Sequence, residues 1–187
     1  MNRKTELRQA LVTQSQAVMD ARYDLNKDAK RFLMLVSQQS GNPTSQNNEG
    51  WYCVKVSTYA DVFSLSTHEA GRDIRGAVKA LWDGKITVYI REGDDVTEIN
   101  KRWIIEEKKR PSYGEYWVRF HPDLLQYLHD FTKSYSHPLE HVVEMGNDYH
   151  IRLYDWIYAN RAEGGIRIEI EYIRAVSYTH LTLPTKA

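Results

Sequence analysis

The chain has 187 residues, 42% hydrophobic, 12% aromatic and 27% charged, a composition that excludes wholesale disorder and low-complexity or collagen-like structure. Twenty-five Lys and Arg balance twenty-five Asp and Glu, so bulk charge gives no support to a nucleic-acid partner, and any basic surface must be local. A single cysteine, Cys53, excludes an internal disulfide framework and a Cys-rich zinc site, and no apolar run of about 18 residues or signal-peptide core occurs, as expected of a soluble, cytoplasmic protein without a membrane partner.

Residues 1–22 are polar and read as a frayed helix or a flexible N-terminal arm. In YDLNKDAKRFLMLVSQQS, Asn26 is placed to cap a helix that carries Phe32, Leu33, Leu35 and Val36 at helical spacing. A polar loop (41–50) leads to a strand, WYCVKV (51–56). Ser57 is expected to cap a short helix, 58–65, and Ser66 with Glu69 forms a capping box for a second helix ending at Asp83-Gly84. Strands at 85–90, 98–105 and 114–120 then read as a meander joined by an Asp-rich turn and a basic turn. His121-Pro122 opens a helix with Leu124, Leu125, Leu128 and Phe131 on its apolar face. After a linker near 134–146, a helix at NDYHIRLYDWIYANR ends at Gly164-Gly165 and leads to IRIEIEYI, whose alternation is that of a half-buried strand.

The order helix, loop, strand thus occurs at 26–56 and again at 147–173, which predicts an α+β fold of tandem winged-helix domains. The expected boundaries are 23–142 for the first and 143–175 for the start of a truncated second. Residues 176–187, VSYTHLTLPTKA, include a stretch that resembles the translated read-through of a transposase sequencing adapter, so a non-native tail and a longer natural chain are expected.

The helix pair carries the chemistry. At about 100° per residue, Ala70, Ile74, Ala77, Val78 and Leu81 share one side of the second helix, while His68, Arg72, Arg75 and Lys79 cluster on the other. Such a helix fits a DNA major groove, where an arginine fork can bond two acceptors of guanine. Surface helices also carry solvated charges, and Glu69 and Asp73 dilute this face. The short connection Ser64-Leu65-Ser66-Thr67 favours a helix-turn-helix. Ser66 and Thr67 would meet phosphate at the helix N-terminus, and Arg72, Arg75 and Lys79 would make groove and phosphate contacts. Lys108, Lys109 and Arg110, on the expected basic turn, are weaker candidates for a DNA-contacting wing, since most short basic runs are only solvated turns.

Signals for catalysis are weak. There is no Gly-rich phosphate loop, and His137 with His141 at i, i+4 spacing lacks the surrounding pattern of a metal site and reads as part of a solvent-facing linker helix. Cys53 reads as a small buried hydrophobe, and the five tryptophans as core and interface residues. Catalytic residues, metal and cofactor are accordingly expected to be none. The alternatives are a winged-helix transcriptional repressor, a purely protein-binding winged helix and, behind these, a rolling-circle nicking initiator, which would need a metal site of the His-x-His kind where no His-x-His occurs.

The stretch VSTYADVFSLSTHEAGRDIRGAVKAL resembles the helix-turn-helix of plasmid replication initiators, the Rep family of iteron-containing, theta-replicating plasmids. YDLNKDAKRFLMLV, YWVRFHPDLLQYLHDFTKSYSHPLE and YHIRLYDWIYANR match further blocks in order, the last through Arg152-Leu153-Tyr154, at the start of that family's second domain. The resemblance covers about residues 20–174. It implies two pseudo-symmetric winged helices, monomers bound to origin repeats in double-stranded DNA, and homodimers formed through the first domain that repress their own gene. It further implies a host replication initiator, the replicative helicase and chaperones as partners, and no enzymatic activity.

Overall fold

The computed structural model describes residues 3–15, 21–40, 50–92, 95–124 and 134–169. In chain order the elements are α1 (Arg3–Gln9), β1 (Leu11–Ser15), β2 (Arg22–Tyr23), α2 (Lys27–Ser40), β3 (Trp51–Lys55), α3 (Val56–Phe63) and α4 (Thr67–Asp83). There follow β4 (Lys85–Glu92), β5 (Asp95–Arg102), β6 (Ile104–Arg110), β7 (Glu115–Phe120), β8 (Ser134–Pro138), α5 (Glu140–Val143) and α6 (Asp148–Ala159). Among these residues the strands form three antiparallel sheets, β1–β8, β2–β4–β5 and β3–β7–β6.

Local signals account for the helices. The Asn26 side chain accepts from the Ala29 amide at 2.9 Å and caps α2, whose Ala29, Phe32, Leu35 and Val36 are buried. Alternation in β3 and β7 turns Tyr52, Val54, Val118 and Phe120 inward, where they meet the helices in one core that also takes Ile74, Leu81 and Ile151. The Ser57 cap is not formed. α3 begins at Val56, its cap position is Lys55 with no side-chain bond, and the Val56 amide is instead satisfied by the Gly114 carbonyl at 2.8 Å.

The expected meander is broken into two hairpins. Trp103 and Ile104 are consecutive and both fully buried, which a flat strand of period 2 cannot provide. The chain therefore turns a corner at Trp103, leaving one sheet with β5 and entering the other with β6. The Trp103 ring meets Tyr23 edge-on at 5.3 Å, and its carbonyl accepts from the His121 amide. Lys108, Lys109 and Arg110 consequently lie within β6, paired with Trp117, Tyr116 and Glu115, and not on a turn.

The N-terminal stretch is not a free arm over its described part. β1 pairs with β8 along its whole length, and Val12 is fully buried. That same pairing corrects the linker expected at 134–146, which holds β8 and α5. His137, expected on a solvent-facing helix, is a fully buried strand residue with its Nε2 3.4 Å from Asp155 Oδ1 and its ring 5.1 Å from that of Tyr154. Residues 166–169 adopt no strand, and Ile166 is exposed. Leu124 is buried in the helical stretch at 122–124, whereas Leu125, Leu128, Phe131 and the adapter-like tail lie outside the described residues.

α6 is capped by Asn147, which accepts from the His150 amide at 2.8 Å, and packs on the preceding elements. Arg152 donates to the Ala21 carbonyl at 2.6 Å and lies over the rings of Tyr23 and Trp156. Lys30 reaches across from α2 to donate to the Asp148 carbonyl at 2.7 Å. Burial lowers the Lys30 pKa from its ordinary 10.5 to about 8, against the opposing pull of Asp148. Above pH 8 the folded chain gives up this proton while the unfolded chain keeps it, so stability rises with pH until the ordinary lysine pKa is reached. The melting temperature should increase between pH 8 and about 9.5, and the increase should vanish in Lys30→Met; an unchanged slope in that variant would remove Lys30 as its source. Buried Tyr23 and Tyr59, whose phenols burial pushes up, reverse the trend once unfolded tyrosines ionise.

A candidate DNA-binding helix face

α3, a three-residue turn and α4 form the helix-turn-helix. Ser64 ends α3 in the left-handed region at φ 55°, a conformation that costs a non-glycine residue about 1 kcal/mol or more. It is held there from outside the motif. Arg8 on α1 donates to the Val62 carbonyl at 2.8 Å and to Ser64 Oγ at 2.7 Å, and Lys4 reaches the same hydroxyl at 2.9 Å. α1 thus buttresses the turn across more than 50 residues of sequence, which no local pattern announces.

The capping box of α4 is present. Ser66 Oγ accepts from the Glu69 amide, and the Glu69 carboxylate accepts from both the Ser66 amide and hydroxyl. These bonds hold the Glu69 pKa below the ordinary carboxylate range. Ser66 is therefore occupied as a cap, while Thr67 and His68 stand exposed in the first turn.

Ala70, Ile74, Ala77, Val78 and Leu81 are all buried, and His68, Arg72, Arg75 and Lys79 all point to solvent. Buried Asp73 accepts from Arg72 Nε and Nη2, both at 3.0 Å, which fixes the guanidinium plane on an otherwise mobile side chain. Lys79 is paired with Asp83 one turn on. Arg75 has no carboxylate partner among the described residues. Gly76 lies on the exposed side of α4 beside these cations, and a Cβ added there would meet nothing within 4 Å. Gly76→Ala should therefore stabilise the free protein by about 0.5–1 kcal/mol through helix propensity. A thermal melt checks this, and a lower melting temperature would contradict it.

The basic run on β6 is divided by strand alternation. Lys109 faces α4 and shares an open groove with Arg75, Lys79, Trp82, Asp83 and Glu107. Lys108 is on the other face of the sheet, its ammonium 5.2 Å from the Trp51 ring and 5.0 Å from that of Trp117. Arg110 lies over Tyr113 and is 3.4 Å from Glu115. So Lys109 joins the cationic face of α4, and Lys108 and Arg110 do not. Trp82, which the apolar pattern of α4 leaves unassigned, is brought into the groove instead.

Cys53 sits half-buried between these outer-face groups, and burial pushes its thiol up to about 11, which makes it a poor nucleophile. Among the described residues no group of three or more His, Cys, Asp or Glu side chains is arranged to hold a metal ion, and no helix is long and apolar enough to cross a membrane.

A helix-turn-helix packed on antiparallel hairpins, with an exposed cationic second helix, defines a winged-helix protein of the α+β class. Residues 11–158 match the family described as Initiator Replication protein, WH1, and the chain belongs to it. An uncharacterized 27.6 kDa protein of Escherichia coli is 26% identical over 163 residues, which cover 82% of this chain and 68% of that protein. Among solved structures, the Pi initiator protein in complex with iteron DNA aligns with a TM-score of 0.62 at 14% identity, covering 90% of this chain and 72% of that one. The WH1 domain of MSBI1.176, a replication protein isolated from a multiple sclerosis patient, aligns with a TM-score of 0.44 at 16% identity, over 54% of this chain and 79% of that domain.

Proposed function

We propose that this chain is a plasmid replication initiator that acts in the cytoplasm by binding repeated sites in double-stranded origin DNA, with α4 in the major groove. The observation that carries the reading is the cationic outer face of α4 in a chain of the initiator family. The fold it shares with the Pi protein, whose structure contains iteron DNA, supports the same partner. As the resemblance implies, the protein also binds its operator as a homodimer through this domain, residues 143–175 open a second winged helix, and host initiator, helicase and chaperones complete origin opening. It works by binding and distorting DNA, without a catalytic residue of its own.

Footprinting on origin duplexes and incubation with single-stranded origin DNA plus divalent metal test this. A stable footprint without strand breaks is expected. Metal-dependent nicking would replace the reading with that of a nicking initiator.

A further inference from the structure

The groove between the C-terminal half of α4 and β6 has a charge arrangement that the helix face alone does not explain. Its two walls supply three cations, Arg75, Lys79 and Lys109, and two carboxylates, Asp83 and Glu107. Each carboxylate is committed to a lysine of the same groove: Asp83 to Lys79, and Glu107 to Lys109 at 3.0 Å. Among the described residues Arg75 is left without a carboxylate, so the groove they form keeps one uncompensated positive charge. Trp82 lines the same space and is 37% exposed, an apolar ring standing in water among charges.

We propose that this groove is a self-neutralised clamp for the DNA backbone. One phosphodiester seats between α4 and β6; Arg75 donates to it, Lys79 and Lys109 leave their carboxylates for its oxygens, and the Trp82 ring packs on the adjoining deoxyribose. The inference rests on the duplex-DNA reading and adds which surface takes the backbone and what restrains it. Exposed ion pairs of this kind are weak, so a phosphate displaces them readily. Once displaced, Asp83 and Glu107 face the phosphate and repel it. That repulsion acts on every sequence alike, so it suppresses non-specific binding, while base contacts from the middle of α4 keep the specific complex.

Anisotropy titrations of the full chain against one origin-repeat duplex and one scrambled duplex, over a range of salt, test the clamp. Glu107→Gln and Asp83→Asn should each tighten binding to the scrambled duplex by about threefold or more and steepen the salt dependence by about one unit. Lys109→Ala should make it shallower by about one unit, and Trp82→Ala should weaken both duplexes with the salt dependence unchanged. A gain in affinity at an unchanged melting temperature does not come from misfolding, so the two carboxylate variants, melted alongside the wild type, keep the test decisive even where Trp82→Ala folds poorly. If they leave affinity and salt dependence unchanged while Arg72→Ala still weakens binding, the clamp is wrong and the helix-face reading stands. If the wild type binds neither duplex, both are wrong.

Discussion

Trp103→Ala should lower the melting temperature by about 6–20 °C. The ring is fully buried, and emptying such a site costs about 3–5 kcal/mol, a large part of the roughly 5–15 kcal/mol that holds a domain folded. The site is also structural in a second sense, because Trp103 is the corner at which the chain passes from the β2–β4–β5 sheet to the β3–β7–β6 sheet. Its indole N–H makes no hydrogen bond among the described residues, so Trp103→Phe loses volume but no polar partner and should cost clearly less. Circular dichroism melts of the two variants check this. A shift below about 2 °C in Trp103→Ala would mean that the two sheets do not depend on this corner.

Arg72→Ala should weaken specific binding to origin duplex by about 1–3 kcal/mol and relax preference at one base position. Its guanidinium is held by two bonds to buried Asp73, and a fork oriented before the encounter loses less entropy on meeting a base. Lys79→Ala should act differently. An ammonium is a point charge without a fixed donor plane, so its loss should weaken all sequences about equally and lower the salt slope by about one. Lys79 touches nothing of the buried stripe of α4, so Lys79→Ala should melt within about 2 °C of the wild type. Arg72→Ala leaves buried Asp73 without its guanidinium and should lower the melting temperature, so its binding is compared at a temperature where the variant is folded. Anisotropy against a library of repeat variants separates the two effects. Unchanged affinity in both would take α4 out of the DNA interface.

Those expectations differ in how far they were legible in the chain alone. The inner stripe and outer cations of α4 follow from a period of 3.6, and the caps at Asn26 and Ser66 need only a side chain within three residues of its partner. The helix-turn-helix and its charged face were accordingly readable from local sequence, as was the family resemblance. The pairing of strands was not. β1 and β8 are polar and more than 100 residues apart, and only their hydrogen bonds make strands of what reads as an arm and a linker.

The same limit divides the basic run. Lys108, Lys109 and Arg110 are adjacent in sequence and equal in charge, yet alternation along β6 sends Lys109 toward α4 and its neighbours to the opposite face. Sequence by itself determined that α4 buries one side and offers cations on the other, because a helix carries its own hydrogen bonds and its faces are set within a few turns. Only the tertiary structure decided that Trp82 and Lys109 share a groove, that α1 holds the turn at Ser64, and that His137 is buried. Each of those facts depends on which distant segment supplies the missing partner, and a strand or a turn has no partner until the chain closes on itself.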